Sequence, residues 1–180
     1  MALATAVSVV AADAAAQEDE GLPAGNFGLS VGVRQGMGRL SDDFGPGVVM
    51  AMEAGYHPTR PDSSVSLGLE WSAAWSWFGA DQASIAGSLQ MLELSMGVRL
   101  RRVINEPRPR FLVLSPGVSV LRTNVPIPPD DERHYVGLYV AAGVEQYLYE
   151  KLMLSFDVRY GMVVGGPGSI SLALGVGFGS

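Results

Sequence analysis

The chain has 180 residues, a formal net charge of -6 and no cysteine, with 48% hydrophobic and only 17% charged residues and 23 glycines. That length suits one domain. The acidic balance, with no basic cluster interleaved with aromatics, argues against a nucleic-acid partner, and the missing cysteines exclude a disulfide scaffold and a thiolate metal site. So little charge would make a poor water-facing coat, the more so because Lys151 is the sole lysine among 12 basic residues.

Taken in chain order, Ala2 to Ala12 is apolar and small, and Ala14-Ala15-Ala16 before Gln17 has the A-x-A form of a cleavage site. Residues 1–16 are therefore predicted to be a secretory signal peptide. A basic n-region is missing, which leaves open a start upstream of Met1, or a short alanine-rich helix packed on a domain. Residues 17–24 follow as a flexible acidic leader carrying Glu18, Asp19 and Glu20. No run reaches the ~18 apolar residues of a spanning helix, so any membrane crossing must use strands.

From Gly25 onward a period of two takes over, the signature of a strand with different neighbours on its two faces. The first strand, Gly25 to Gln35, sets Phe27, Leu29, Val31 and Val33 against Gly28, Ser30, Gly32 and Arg34. After a polar loop the second, Gly47 to His57, sets Val48, Met50, Met52, Ala54 and Tyr56 against Val49, Ala51, Glu53 and Gly55. A turn at Pro58 to Ser63 leads to the third, Ser64 to Trp77. Its greasy set is Val65, Leu67, Leu69, Trp71, Ala73, Trp75 and Trp77, opposite Ser66, Gly68, Glu70, Ser72 and Ser76. Beyond a loop at Gly79 to Ala86, the fourth strand places Leu92, Leu94, Met96, Val98 and Leu100 against Glu93, Ser95, Gly97 and Arg99.

A proline-bearing turn, Arg102 to Arg110, leads to a fifth run with Leu112, Leu114, Pro116, Val118 and Val120 on its greasy side. Proline cannot donate to a ladder and a closed sheet has no free edge, so a bulge or local break is predicted at Ser115 to Gly117; the alternative is a loop there and an open sheet. After the longest connection, Thr123 to Arg133, the sixth strand runs His134 to Leu148, with Glu145 on its small-residue side and Gln146 as the polar member of its greasy side. Tyr149 to Lys151 makes a tight hairpin into the seventh, where Leu152, Leu154, Phe156, Val158, Tyr160 and Met162 oppose Ser155, Asp157, Arg159 and Gly161. Gly165 to Gly168 turns into the eighth, with Ile170, Leu172, Leu174, Val176 and Phe178 opposite Ser171, Ala173, Gly175 and Gly177. The Gly175-Val-Gly177-Phe-Gly179 run has no helix after it and so reads as strand rather than as a phosphate-binding loop.

Eight charge-free greasy faces in 180 residues predict an all-β fold, an eight-stranded antiparallel up-and-down transmembrane β-barrel over residues 25–179. An even strand number puts both ends of the domain on one side. The longer connections would then be external and the shorter ones periplasmic, with Pro58 to Ser63 and Arg102 to Arg110 longer than usual. On the greasy face Trp75, Trp77 and Tyr160 fall near external strand ends and Phe27, Tyr56 and Phe178 near periplasmic ends, two aromatic belts at headgroup level.

With these features the chain resembles the small eight-stranded outer-membrane barrels of the OmpA/OmpX type. The last strand carries the resemblance further, since Leu172, Leu174, Val176 and Phe178 match the alternating, aromatic-ended strand those families present; here Gly179 and Ser180 follow the aromatic. The resemblance implies the outer membrane of a Gram-negative bacterium, contact with outer-membrane lipids and lipopolysaccharide, and an encounter with the outer-membrane assembly machinery during insertion.

The inward face carries Arg34, Glu53, Glu70, Glu93, Arg99, Glu145, Asp157 and Arg159. In eight strands the interior is narrow enough for side chains to fill, and buried charges there must pair. That predicts an ion-paired plug, with a narrow small-solute channel as the alternative, since many lumenal residues are Gly, Ala or Ser. A structural or surface-interaction role follows from the plug. Enzyme chemistry of the lipid A-modifying kind needs a histidine with serine and an acid; His57 sits at a turn and His134 opens a strand, and neither has a serine two positions away on its face. No catalytic, cofactor or metal site is predicted. Asp130, Asp131 and Glu132 could bind a divalent cation that bridges lipopolysaccharide, or form a solvated loop tip. Alternation alone does not separate inside from outside, so a soluble lipocalin-like cup with the greasy face inward stays open, distinguished by whether the protein remains in solution without detergent.

Overall fold

A computed structural model describes residues 24–58, 65–80, 88–105, 110–124, 133–148, 151–164 and 166–179. Eight strands follow one another: β1 (Gly25–Met37), β2 (Phe44–Tyr56), β3 (Val65–Ala80), β4 (Leu89–Asn105), β5 (Arg110–Thr123), β6 (His134–Tyr147), β7 (Leu152–Val163) and β8 (Gly168–Gly179). Each pairs antiparallel with its sequence neighbours, and β1 closes on β8. Residues 1–16, expected to be a signal peptide, the leader apart from Ala24, the Pro58 to Ser63 turn apart from Pro58 itself, and the Asp130–Glu132 triplet lie outside the described residues.

The register fixes the shape. Phe27 pairs with Ala54, Ala54 with Trp71, Trp71 with Met96, Met96 with Val118, Val118 with Leu138, Leu138 with Met162, and Met162 with Gly168, which meets Met37. One circuit therefore climbs from residue 27 to residue 37 of β1. With ordinary strand rise and spacing, that stagger over eight strands tilts them by about 40° and gives a backbone radius of roughly 8 Å. An arginine can reach the axis from any strand.

The greasy faces point outward. Leu29, Met52, Leu67, Leu94, Val136 and Leu174 are all more than half exposed, whereas Arg34, Glu70, Glu93, Arg99 and Glu145 are buried. This removes the lipocalin-like alternative, because a water-soluble cup needs the reverse arrangement. Towards its ends the lumen is bulkier than the small-residue face suggests. At the end away from the termini, Leu40, Phe44, Phe78, Leu89, Met91, Leu121, Tyr135 and Val163 form one buried cluster. At the termini end, Phe111, Val113, Tyr147 and Met153 form another, with Val103 against it.

Two expectations change. The polar loop expected after the first strand is largely structured: β1 continues to Met37, β2 begins at Phe44, and a one-turn helix α1 (Arg39–Asp43) lies between. Gly38 enters it at φ 64°, a left-handed conformation that suits glycine, and Leu40 drops into the apolar cluster. The Arg102 to Arg110 turn shrinks to residues 106–109, since β4 and β5 both extend past the apolar band. Charged side chains at the rim hid this extension from the hydrophobic pattern.

At Pro116 the predicted local break is present, without a bulge and only towards β4. The β5–β6 ladder runs unbroken through Ser115–Ala141, Pro116–Val140 and Gly117–Tyr139. Towards β4 the pairing passes from Gly97–Gly117 to Leu100–Leu114 in the same phase, and the strands' register shifts elsewhere, at Val103/Asn105. Val98–Pro116 and Arg99–Ser115 thus drop out of the pairing on one side of the strand, and the barrel stays closed.

Candidate functional site

Alternation in β1 to β4, β6 and β7 delivers charged side chains to the lumen, and the stagger decides which of them meet. Arg34 of β1 donates through Nη1 to Ser76 Oγ at 3.0 Å and through Nη2 to Glu93 Oε2 at 2.7 Å. Arg159 of β7 reaches the other oxygen of the same carboxylate, Nη2 to Glu93 Oε1 at 2.7 Å, while its Nη1 donates to Ser72 Oγ at 3.1 Å. Its guanidinium also stacks over the Tyr139 ring, 3.8 Å from the centroid. Glu93 is therefore clamped from two sides of the barrel.

Nearer the termini end, Arg99 donates to both Glu70 and Glu145. Glu70 also accepts from Ser115 Oγ at 2.9 Å and from Tyr139 Oη at 3.5 Å. The second oxygen of Glu145 lies 3.0 Å from Arg101 Nε. Arg101 was absent from the sequence-derived set because it stood next to the supposed turn; its signal was its phase, two residues after Arg99 on the same face. Its guanidinium sits 4.1 Å from the Phe111 centroid and donates to Tyr147 Oη at 3.3 Å. This joins the ionic chain to the apolar cluster at that end.

Glu53 and Asp157 are placed in the lumen without an arginine ion pair among the described residues. Glu53 accepts from Ser30 Oγ at 3.3 Å, and Asp157 Oδ2 is buried without a hydrogen-bond partner. Both line a cavity of about 40 Å³ together with Ser30, Arg159 and Ser171, room for two or three water molecules.

On the outside, Trp75 and Trp77 stack with centroids 5.3 Å apart near the end of β3, at the same barrel end as Tyr160. Phe27 is paired with Phe178 near the opposite rim, where Tyr56 closes β2. Trp71 and Phe156 are also outward and lie nearer mid-strand.

The two histidines occupy opposite ends, so they do not share a site. His134 is exposed and faces Arg122 across the ladder. His57, just past β2, is fully buried; its N–H donates to the Ala24 carbonyl at 2.5 Å and its ring nitrogens have no hydrogen-bond partner. Burial, reinforced by Arg101 and then Arg99, pushes the imidazole from its ordinary 6.5 down to about 3. The unfolded chain then binds a proton that the folded one refuses. The stability His57 confers is present above pH 6.5 and drains away as pH falls towards 3. His57→Gln is expected to flatten the pH dependence of unfolding across that window; an unchanged profile would place the acid sensitivity elsewhere.

A closed barrel with an apolar exterior at every strand and an ion-paired interior is a transmembrane β-barrel. The chain belongs to the outer membrane protein beta-barrel domain family, whose pattern matches residues 2–178, and its place is the outer membrane of a Gram-negative bacterium. Among solved structures it is similar to Neisserial surface protein A, at 19% identity and TM-score 0.58, covering 89% of this chain and 100% of that one. It is also similar to Ail, the attachment invasion locus protein of Yersinia pestis (16%, 0.52, 86% and 97%). A third likeness is to the outer membrane enzyme PagL (10%, 0.53, 86% and 99%). At such identities these neighbours share the fold, and an enzyme among them shows that the fold alone does not decide activity. No curated protein matches the sequence.

Proposed function

We propose that this barrel is a closed outer-membrane anchor with a structural or surface-interaction role, its lumen plugged rather than conducting. One observation carries the reading: the chains Arg34–Glu93–Arg159 and Glu70–Arg99–Glu145–Arg101 cross the lumen between two apolar clusters. Among the described residues the cavity beside them, about 40 Å³, has room for only a few waters, which supports a plug over a path for solute. Whatever the protein does is then done at its rims and connections.

Planar-bilayer recording tests this. The unmodified protein is expected to give no stable, single-sized conductance steps, whereas Glu93→Ala, which releases Arg34 and Arg159 together, should produce erratic openings if the variant still inserts. Steady uniform steps from the unmodified protein would replace the plug with a narrow channel. Release of fatty acid from lipid A, lost in His134→Ala, would replace both with an enzyme.

A further inference from the structure

We propose that Arg122, Arg133 and His134 form a site for the phosphates of lipid A on the rim away from the termini, independent of whether the lumen conducts. Arg122 ends the lipid-facing row of β5 and stands directly opposite His134 at the start of β6; one step inward on the same faces are Val120 and Val136, both more than half exposed and paired with each other. Arg122 and His134 therefore sit about 7 Å further along the tilted strands, roughly 5 Å along the membrane normal beyond the apolar band, at the depth where an acyl chain gives way to a headgroup. Arg133 precedes His134 and is exposed as well.

The rim beneath them is fixed. Thr123 N–H donates to the Arg133 carbonyl at 2.9 Å, Asn124 N–H to the Gln90 carbonyl at 3.1 Å, and Asn124 Nδ2 to the Ser88 carbonyl at 3.0 Å; Gln90 N–H returns to Asn124 Oδ1 at 2.8 Å. These bonds clip β4, β5 and β6 together, so Arg122 and His134, opposite each other across the ladder, are held side by side before any ligand arrives, with Arg133 next to His134 in the chain. Among the described residues neither Arg122 nor Arg133 is in an ion pair with a carboxylate. The carboxylates of α1, Asp42 and Asp43, sit between β1 and β2 on another sector.

Arginine matches a phosphate with two parallel donors, and each cation near an anionic membrane surface contributes about a fivefold change in affinity. The other rim is also basic, with Arg102, Arg110 and Lys151 exposed, but Arg110 Nε is engaged by Gln146 Oε1 at 3.1 Å. Connection length tells the two rims apart. The longest connection, residues 124–133, rises from the rim that holds Arg122, as expected for the outer leaflet, where the phosphorylated lipid is lipid A.

The test is lipid A retention by the full-length barrel in nanodiscs of neutral lipid doped with lipid A. Folding of each variant is checked by its heat-dependent gel mobility. The double variant Arg122→Gln, Arg133→Gln is expected to bind roughly 20-fold more weakly and the added His134→Gln weaker still, while Arg102→Gln with Arg110→Gln leaves binding unchanged. Lipid A stripped of its phosphates should bind the unmodified barrel no better than the double variant binds intact lipid A. Equal retention by the double variant would overturn the site. So would phosphatidylglycerol displacing lipid A at equal concentration, or complete release on removing divalent cations, which would give the binding to a bridged acidic loop instead.

Discussion

Arg99→Ala is expected to destabilise the barrel by about 3 kcal/mol, the lower part of the range for breaking a buried ion pair from one side. Arg99 is 2% exposed and donates to Glu70 and Glu145, themselves 5% and 0% exposed. After its removal the two carboxylates fare differently. Glu145 keeps Arg101, whereas Glu70 keeps only the neutral donors Ser115 and Tyr139. Adding Glu70→Gln should therefore recover more stability than adding Glu145→Gln, which would also strand Arg101. Reversible urea unfolding in vesicles, followed by the fluorescence of the lipid-facing tryptophans, reads this order directly. Equal recovery from the two second substitutions would mean that the charges act as a diffuse pool rather than as the pairs described.

Met96→Arg is expected to be the most damaging change on the outer face. Met96 lies midway along β4, is 52% exposed, and pairs with Trp71 and Val118, both outward. Arginine at that depth costs roughly 2–4 kcal/mol in a transmembrane barrel and about 0–1 kcal/mol near the interface. Val65→Arg, at the first position of β3 and similarly exposed, should therefore insert nearly as well as the unmodified chain. The yield of folded barrel from urea into vesicles separates the two. Similar yields would show that the middle of β4 does not lie at the bilayer midplane.

Much of this architecture was legible because lipid and lumen impose opposite demands on alternate residues. The faces of all eight strands follow from that alternation, down to Arg34 and Glu93 pointing inward. What alternation does not contain is the stagger, so it could not tell that Arg34 on β1 meets Glu93 on β4, or that Glu53 and Asp157 would be left facing a small cavity. Strand ends were also hidden: Arg101 and Arg102 continue β4 in strict in-and-out order, yet their charge looked like a turn. Pro116 was legible as well, since a local break was expected there. Its lost donor faces β4, where two residue pairs drop out, and the unbroken ladder to β6 tolerates this without a bulge.

Closure of β1 on β8 pairs Asn26 with Gly179 and Phe27 with Phe178. The first strand to leave the ribosome thus waits for the last before either has all its hydrogen-bonding partners. In hydrocarbon an unpaired strand edge is prohibitively costly, so no shorter prefix of the chain is a stable membrane species. Synthesis and folding are necessarily separated in time, with the whole polypeptide held unfolded until residue 179 is available. A truncation before β8 should accordingly yield no partial barrel at all, rather than a seven-stranded one.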